Sequence, residues 1–189
     1  MAINPQTKLT PAEYLAFERA QTEAKHEYLD GEITLMAGAS LEHNRIVANI
    51  MATLHAQMRR RPCDVFSGDM RTHIPATGLY TYPDISALCG EPQLEDDELD
   101  ILLNPSIIIE VLSPSTEAYD RGSRFDHYRS IESLQTYVLV AQDRPQIELF
   151  QRQDKGDWLL SVFKGLEARV SLEAISCDLA LADVYERVF

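Results

Sequence analysis

Two carboxylates on neighbouring predicted strands are the residues of this chain most suited to chemistry. Glu110 interrupts the apolar run 107–113, which otherwise has the β-branched composition of a buried strand. An unpaired ionised carboxylate is costly to bury, so such a group is normally protonated, ion-paired or bound to a metal. Asp84, within Tyr82-Pro83-Asp84-Ile85-Ser86, is the second carboxylate. If the two strands pair, both side chains converge on one hard cation, and Mg²⁺ suits such oxygen ligands.

The elements that must position these carboxylates follow from turn residues and hydrophobic periodicity. Thr10 caps a first helix, and Asp30-Gly31 is a hairpin signal between two strands, 26–29 and 32–36. Ser40 caps a long amphipathic helix that Pro62 ends. Further strands are predicted over residues 65–67, 71–74, 79–88, 107–113, 136–141, 146–151 and 158–163, and further helices over about 121–130 and 179–188. This order predicts an α/β protein with a mixed sheet and helices on its faces.

Length and composition indicate an ordinary globular protein. A chain of 189 residues with 45% hydrophobic and 25% charged residues predicts one domain over 1–189. No window approaches the ~18 apolar residues of a membrane span, so we expect no membrane partner. The polar start, residues 1–8, lacks a secretory pattern, which favours a cytoplasmic location.

The three cysteines give no evidence of a covalent or metal-bound framework. Cys63, Cys89 and Cys177 are odd in number and lie far apart in the sequence. Their spacing matches no zinc site, and we expect three buried thiols rather than a disulfide.

The net charge of −13 argues against general affinity for nucleic acid, which is driven by basic side chains that displace counterions. Much of the acidity lies in one stretch, residues 91–100, which is typical of a solvated loop between strands. A local basic groove can coexist with an acidic remainder, so the charge alone does not decide the function.

Several short motifs in a fixed order resemble the Uma-type endonucleases of the PD-(D/E)xK restriction-endonuclease-like superfamily. Each block is weak singly, and the set spans about residues 10–150. The matching blocks are His26-Glu27-Tyr28-Leu29-Asp30-Gly31-Glu32, Gly38-Ala39-Ser40 with His43-Asn44, Tyr82-Pro83-Asp84, Ile109-Glu110-Val111-Leu112-Ser113-Pro114-Ser115-Thr116, and Tyr119-Asp120-Arg121-Gly122 with Tyr128-Arg129. The resemblance implies a restriction-endonuclease-like mixed central sheet flanked by helices.

The same resemblance implies a Mg²⁺-dependent endonuclease that hydrolyses phosphodiester bonds of DNA, with Mn²⁺ as an alternative ion. Asp84 and Glu110, with the backbone carbonyl of Val111, would hold the ion, and Glu27 would be an additional catalytic carboxylate. Glu27 has a simpler alternative as a solvent-facing strand residue. A homodimer is implied as well, because cutting both strands of a duplex benefits from two sites.

The chain departs from the superfamily pattern two residues after Glu110, where Leu112 stands in place of the usual lysine. In the Uma-type pattern a lysine commonly stands where this chain has Arg124, so Arg124 is a candidate catalytic cation. Arginine stabilises charge but is a poor general base, since it stays protonated. His43 and Arg121 are candidate phosphate contacts. Each of these three also has a structural alternative, in an ion pair or in helix capping.

Two other functions stay open at this point. A catalytically degenerate member that binds nucleic acid or acts as an assembly module is favoured by Leu112, Arg124 and the net charge of −13. The three carboxylates favour the nuclease, because a scaffold has no reason to keep them together. A metal hydrolase acting on a small molecule is the third possibility.

Overall fold

The fold is given by a computed structural model that describes residues 8–189. The helices are α1 (Pro11–Ala20), α2 (Leu41–Met58), α3 (Glu117–Arg121), α4 (Ser123–Tyr128) and α5 (Leu181–Val184), with a 3₁₀ turn at Glu173–Ile175. The strands are β1 (His26–Leu29), β2 (Glu32–Leu35), β3 (Cys63–Ser67), β4 (Arg71–Ile74), β5 (Leu79–Thr81), β6 (Ile85–Cys89), β7 (Ile101–Leu102), β8 (Ile107–Leu112), β9 (Thr136–Ala141), β10 (Gln146–Arg152), β11 (Trp158–Lys164), β12 (Arg169–Leu172) and β13 (Cys177–Ala180).

The first two helices begin where the sequence predicts them to begin. The Thr10 hydroxyl accepts a hydrogen bond from the Glu13 backbone N–H, and the Glu13 carboxylate accepts one from the Thr10 N–H, which completes a capping box. The Ser40 hydroxyl accepts from the His43 N–H at 3.1 Å and caps α2. This cap fixes the first turn of α2, where His43 lies.

The strands form two mixed sheets and a separate hairpin. The larger sheet has the order β11-β10-β9-β8-β6-β3, in which β8 and β9 are parallel and the other pairs antiparallel. A five-stranded sheet has the order β2-β1-β5-β4-β7, and β12 pairs with β13. The predicted mixed α/β fold is therefore confirmed.

The predicted strand 79–88 is wrong as a single element. It breaks at Tyr82-Pro83-Asp84, where β5 ends in the five-stranded sheet and β6 begins in the six-stranded sheet. Pro83 has no backbone N–H to donate to a ladder, which makes it a natural point for the chain to change sheets. Asp84 consequently lies at the junction between the two sheets.

Strand β8 is buried on both faces, as its sequence predicts. Ile107, Ile109 and Val111 pack with the apolar stripe of α2 in one core cluster. Ile108 and Leu112 belong to a second cluster on the other face, together with residues of α4 and β9. Glu110 shares this second face, because side chains alternate along a strand.

Two predicted helices differ from the observed elements. The helix expected over 121–130 is two short helices, α3 and α4, separated at Gly122. The helix expected over 179–188 is only α5, because Leu179 and Ala180 pair with β12 as part of β13. Pairing with a distant strand outweighs the local helical preference in this second case.

The expectation of three buried thiols is wrong for two of the cysteines. β3 and β6 pair antiparallel with Cys63 opposite Cys89, and the two are joined by a disulfide. They are 26 residues apart in the chain, so only the strand register brings them together. Cys177 is a free, buried thiol.

Within residues 8–189, no helix combines the length and apolar composition needed to cross a membrane.

The packing of α2 on the sheet provides a test of the fold. Ile50 has 0% exposure in the larger core cluster, so Ile50→Ala is expected to lower the free energy of unfolding by ~2–5 kcal/mol, through lost burial and a residual cavity. Arg45→Ala on the exposed side of the same helix is the control, with an expected change within ~0.5 kcal/mol. Urea denaturation followed by circular dichroism measures both. Equal effects would contradict the assigned helix face.

Candidate active site

The carboxylates of Asp84 and Glu110 lie together at the junction of the two sheets. Ile85 pairs with Ile109, so the next residues outward, Asp84 and Glu110, are also opposite one another. The Asp84 N–H donates to Glu110 Oε2 at 3.1 Å, and the Val111 N–H donates to Asp84 Oδ2 at 2.7 Å. The structure thus brings together the three residues predicted as metal ligands.

Glu110 is a buried carboxylate in an otherwise apolar strand. It is 3% exposed, and its Oε1 accepts a hydrogen bond from the Tyr128 hydroxyl at 2.8 Å. Burial is the main cause that raises its pKa well above the ordinary value, and the nearby Asp84 and Asp120 carboxylates raise it further against the opposing effect of Arg124. Two neighbouring carboxylates, Asp84 and Asp120, thus act on Glu110 against one cation, Arg124.

Arg124 is the cation nearest to Glu110. Its Nη1 lies 3.6 Å from Glu110 Oε1 and donates to Asp120 Oδ1 at 2.7 Å, while its Nη2 pairs with the Glu27 carboxylate. Burial by itself would lower the pKa of Arg124, but Glu110, Tyr128, Glu27 and Asp120 outweigh it and the pKa is raised. The guanidinium therefore keeps its proton, as the sequence predicts for an arginine at this position.

Glu27 lies inside the site rather than on a solvent-facing strand surface. It belongs to β1, is 8% exposed, and accepts a hydrogen bond from the Thr81 hydroxyl in addition to its ion pair with Arg124. The solvent-facing alternative for Glu27 is therefore wrong. Its carboxylate connects the five-stranded sheet to α4.

His43 contacts the other side of the Asp84 carboxylate. Its Nε2 lies 3.1 Å from Asp84 Oδ1, and the ring is 14% exposed. Burial alone would lower the pKa of His43, but the hydrogen bond and charge of Asp84, with the Val111 backbone, raise it above the ordinary value. The capped first turn of α2 holds the ring at this place.

Arg121 does not join the cluster. Its guanidinium pairs with Glu148 on β10 and with Glu117 one turn earlier, and the Glu148 hydrogen bond is the main cause of its raised pKa. The structure places Arg121 in the ion-pair alternative, and the predicted phosphate contact would require it to leave these partners.

Sequence reasoning missed the importance of Asp120 and Tyr128. Asp120 is 1% exposed, and burial is the main cause of its raised pKa. Its spacing of four residues from Arg124 predicts an ion pair, but not that the pair is buried. Tyr128 is a fully buried tyrosine whose hydroxyl reaches Glu110, and no local signal in the sequence indicates this contact.

Leu112 is a core residue at the position where the superfamily pattern has a lysine. The side chain is 5% exposed and packs in the second core cluster with Phe125 and Tyr128. The place two residues after Glu110 is thus part of the core. The cation nearest to Glu110 comes from α4, through Arg124.

The donor set fits a hard divalent cation. Three carboxylates, from Glu27, Glu110 and Asp120, approach the Arg124 guanidinium, and the pKa values of Glu110 and Asp120 are raised. The Asp84 carboxylate adjoins this group, between the Val111 N–H and His43. Oxygen ligands of this kind are those that Mg²⁺ and Mn²⁺ prefer. In the described part of the chain, no three Asp, Glu, His or Cys side chains are already arranged around one ion position. Asp84 would have to exchange its present hydrogen bonds for ion contacts.

The cluster opens into a cavity of about 860 Å³. Its lining includes residues of the β1–β2 hairpin, residues 36–40, residues 113–116 and Gln142. The side chains of Asp84, Glu110, Asp120 and Arg124 lie along it. The functional groups are thus reached through a pocket of the size that holds small ligands, which is ~300–1,000 Å³.

The fold class is confirmed by a solved structure. The crystal structure of a "putative nuclease belonging to DUF820" from Anabaena variabilis ATCC 29413 matches this chain with a TM-score of 0.78. The match covers 96% of this chain and 99% of the other at 20% identity, so it establishes the fold alone. The chain has a restriction-endonuclease-like mixed sheet with a carboxylate pair on adjacent strands.

The family follows from sequence comparison. The family model "Uma2: Putative restriction endonuclease" matches residues 11–183, and the chain belongs to this family. Two relatives from Synechocystis sp. (strain ATCC 27184 / PCC 6803 / Kazusa) carry the description "uncharacterized protein". The first, slr1290, is 36% identical over 96% of this chain and 93% of its own length, and sll1609 is 38% identical over 86% and 91%. The resemblance read from the five sequence blocks is confirmed.

The raised pKa of Glu110 predicts how stability depends on pH without divalent cations. Because the pKa is higher in the folded than in the unfolded chain, the carboxyl's contribution to stability is complete below the unfolded value of ~4.3 and is lost as pH rises through the folded value. Glu110→Gln removes this titration. The free energy of unfolding of Glu110→Gln relative to wild type is therefore expected to increase between about pH 5 and pH 8.

Thermal and urea unfolding in the presence of a chelator measure this difference. Glu167→Gln, which changes an exposed glutamate, is the control and should show no such trend. A constant difference between Glu110→Gln and wild type across this pH range would contradict the raised pKa.

Proposed function

We propose that this protein is a Mg²⁺-dependent endonuclease that hydrolyses phosphodiester bonds of DNA, with Mn²⁺ able to replace Mg²⁺. The observation that carries the proposal is the contact of Asp84 with the buried Glu110, beside which three carboxylates, from Glu27, Glu110 and Asp120, share a single guanidinium. This excess of buried negative charge is stabilised by a divalent cation. Membership in a family described as restriction endonucleases supports the nuclease class.

The ligands of the cation would be Asp84, Glu110 and the backbone carbonyl of Val111. All three lie at the same end of the β6–β8 pair, beside the cavity. When bound, such an ion lowers the pKa of a coordinated water and stabilises negative charge on phosphate oxygens.

Arg124 stabilises charge rather than accepting a proton. Its Nη2 pairs with Glu27 and its Nη1 donates to Asp120, while Nε has no hydrogen-bond partner among the described residues. A fixed, permanently charged donor next to Glu110 can contact a phosphate oxygen as its charge increases in the transition state. Glu27 and Asp120 then act as positioning residues for Arg124.

His43 supports the predicted phosphate or water contact at the Asp84 side. Its raised pKa favours the protonated ring, which donates rather than accepts a hydrogen bond. Arg124 and His43 therefore bring positive charge to opposite sides of the carboxylate pair. The expected homodimer and cytoplasmic location stay predictions.

Cleavage of supercoiled plasmid tests the proposed activity. Wild type is expected to nick the plasmid with Mg²⁺ or Mn²⁺, and the Asp84→Ala, Glu110→Ala double variant is expected to be inactive, because the ligands are lost. The control is the Asp154→Ala, Glu167→Ala double variant, which removes the same charge from exposed positions. The same ions should raise the melting temperature of wild type and of the control, but not of the Asp84, Glu110 variant.

The two measurements separate the alternatives. Ion-induced stabilisation without nicking would favour the degenerate binding or assembly protein. Nicking by the Asp84, Glu110 variant at the wild-type rate would contradict the site.

Arg124 provides a second test of the mechanism. Arg124→Gln keeps most of the side-chain volume but removes the charge, and is expected to lower the nicking rate about 100-fold or more while retaining ion-induced thermal stabilisation. Arg124→Lys is expected to retain activity, because lysine supplies the same charge. Nicking by Arg124→Gln at the wild-type rate would rule out Arg124 as the catalytic cation.

A further inference from the structure

Most side chains of the proposed site are buried along the cavity, and Asp84 is the most accessible of them, with 24% of its side chain exposed. Glu110 is 3% exposed and Asp120 1%, and Glu27 and Arg124 are also buried. A phosphodiester must therefore move into the cavity to reach them, rather than rest on an open surface. The substrate has to be a chain that fits into the cavity lined by the β1–β2 hairpin and residues 113–116.

The cavity is too small for a rigid duplex to enter. Its volume of about 860 Å³ falls in the range that encloses whole small ligands. Duplex DNA is stiff over ~150 base pairs and cannot fold a few of its nucleotides inward while they stay paired. An unpaired segment can do so, because its backbone and bases rotate freely.

The charge of the cavity also disfavours a duplex. Six described lining residues are carboxylates, namely Glu27, Asp30, Glu32, Asp84, Glu110 and Asp120. The cationic side chains among the lining residues within 8–189 are Lys8, Arg124 and, when protonated, His43, and carboxylates already contact both Arg124 and His43. Duplex affinity depends on several Lys and Arg contacts to closely spaced phosphates, and the described lining does not supply them.

One wall of the cavity is suited to contact with unstacked bases. It runs along β2 and the following residues, Leu35, Met36, Ala37, Gly38 and Ala39. Leu35, a large apolar side chain of this lining, is 63% exposed. Bases removed from a stack can bury their faces against such a surface, in addition to the phosphate at the carboxylates.

We propose that the protein acts on unpaired DNA strands or on unpaired segments within a duplex, and that Leu35 is part of the base-contacting wall. This inference rests on the proposed function, since it names the substrate class of the same site. Binding to an unpaired strand requires fewer phosphate contacts, which agrees with the acidic lining.

The test compares one fluorescein-labelled sequence as a single strand, as a full duplex and as a duplex with a central unpaired bubble. Binding is measured by fluorescence anisotropy and cleavage by gel electrophoresis, both with Mg²⁺. Wild type is expected to bind the single strand and the bubble about tenfold more tightly than the duplex and to cut within the unpaired part. Leu35→Ala is expected to weaken single-strand binding about threefold to tenfold, because apolar contact area is lost.

Leu159→Ala is the matched control. Leu159 is 53% exposed and lies on β11, outside the cavity lining, so its replacement should leave single-strand binding unchanged. Equal affinity of wild type for single strand and duplex, or equal effects of the two leucine variants, would overturn the inference. Absence of cleavage on all three substrates would overturn the proposed function, while the anisotropy values would still decide between unpaired and paired DNA.

Discussion

The site depends on keeping the Glu110 carboxylate within an apolar strand. Its neighbours along β8 are buried on both faces, so the carboxylate has little contact with water and takes its partners from the protein: Tyr128, Arg124 and the Asp84 backbone. Removing a single partner from such a buried network leaves an uncompensated charge. The short helices α3 and α4, which carry Asp120, Arg124 and Tyr128, are therefore tied to β8 by electrostatics as well as by packing.

Arg124 links parts of the chain that are far apart in sequence. Glu27 comes from the five-stranded sheet, Asp120 from α3, and Glu110 from the six-stranded sheet, and all three approach one guanidinium. An arginine suits this position better than a lysine in one respect, since its planar fork can satisfy two carboxylates in fixed directions at once. Arg124 therefore gives the site a cation that is fixed in place and keeps its proton, whereas a lysine could lose its proton.

The parts of the structure predictable from sequence are those that depend on local chemistry. The helix caps at Thr10 and Ser40 and the buried run of β8 each depend on residues that are close together in the sequence. The contact between Asp84 and Glu110 required only that the two predicted strands pair. The Cys63–Cys89 disulfide, β13 and the contacts of Tyr128 depend instead on strand register and on packing between distant segments. Such features are set by the tertiary fold, so no window of the sequence contains them.

An acidic protein and a polyanionic substrate are compatible if binding energy comes from a small enclosed site rather than from a broad surface. With a net charge of −13, the outer surface repels a duplex at long range, and few described cations line the cavity to offset this. In the proposed site the attractive elements are local: a divalent cation on Asp84 and Glu110, the charge of Arg124, and the apolar wall that includes Leu35. Repulsion at long range combined with attraction at short range would select against long paired DNA and favour short, flexible, unpaired segments, which can approach closely enough to bind.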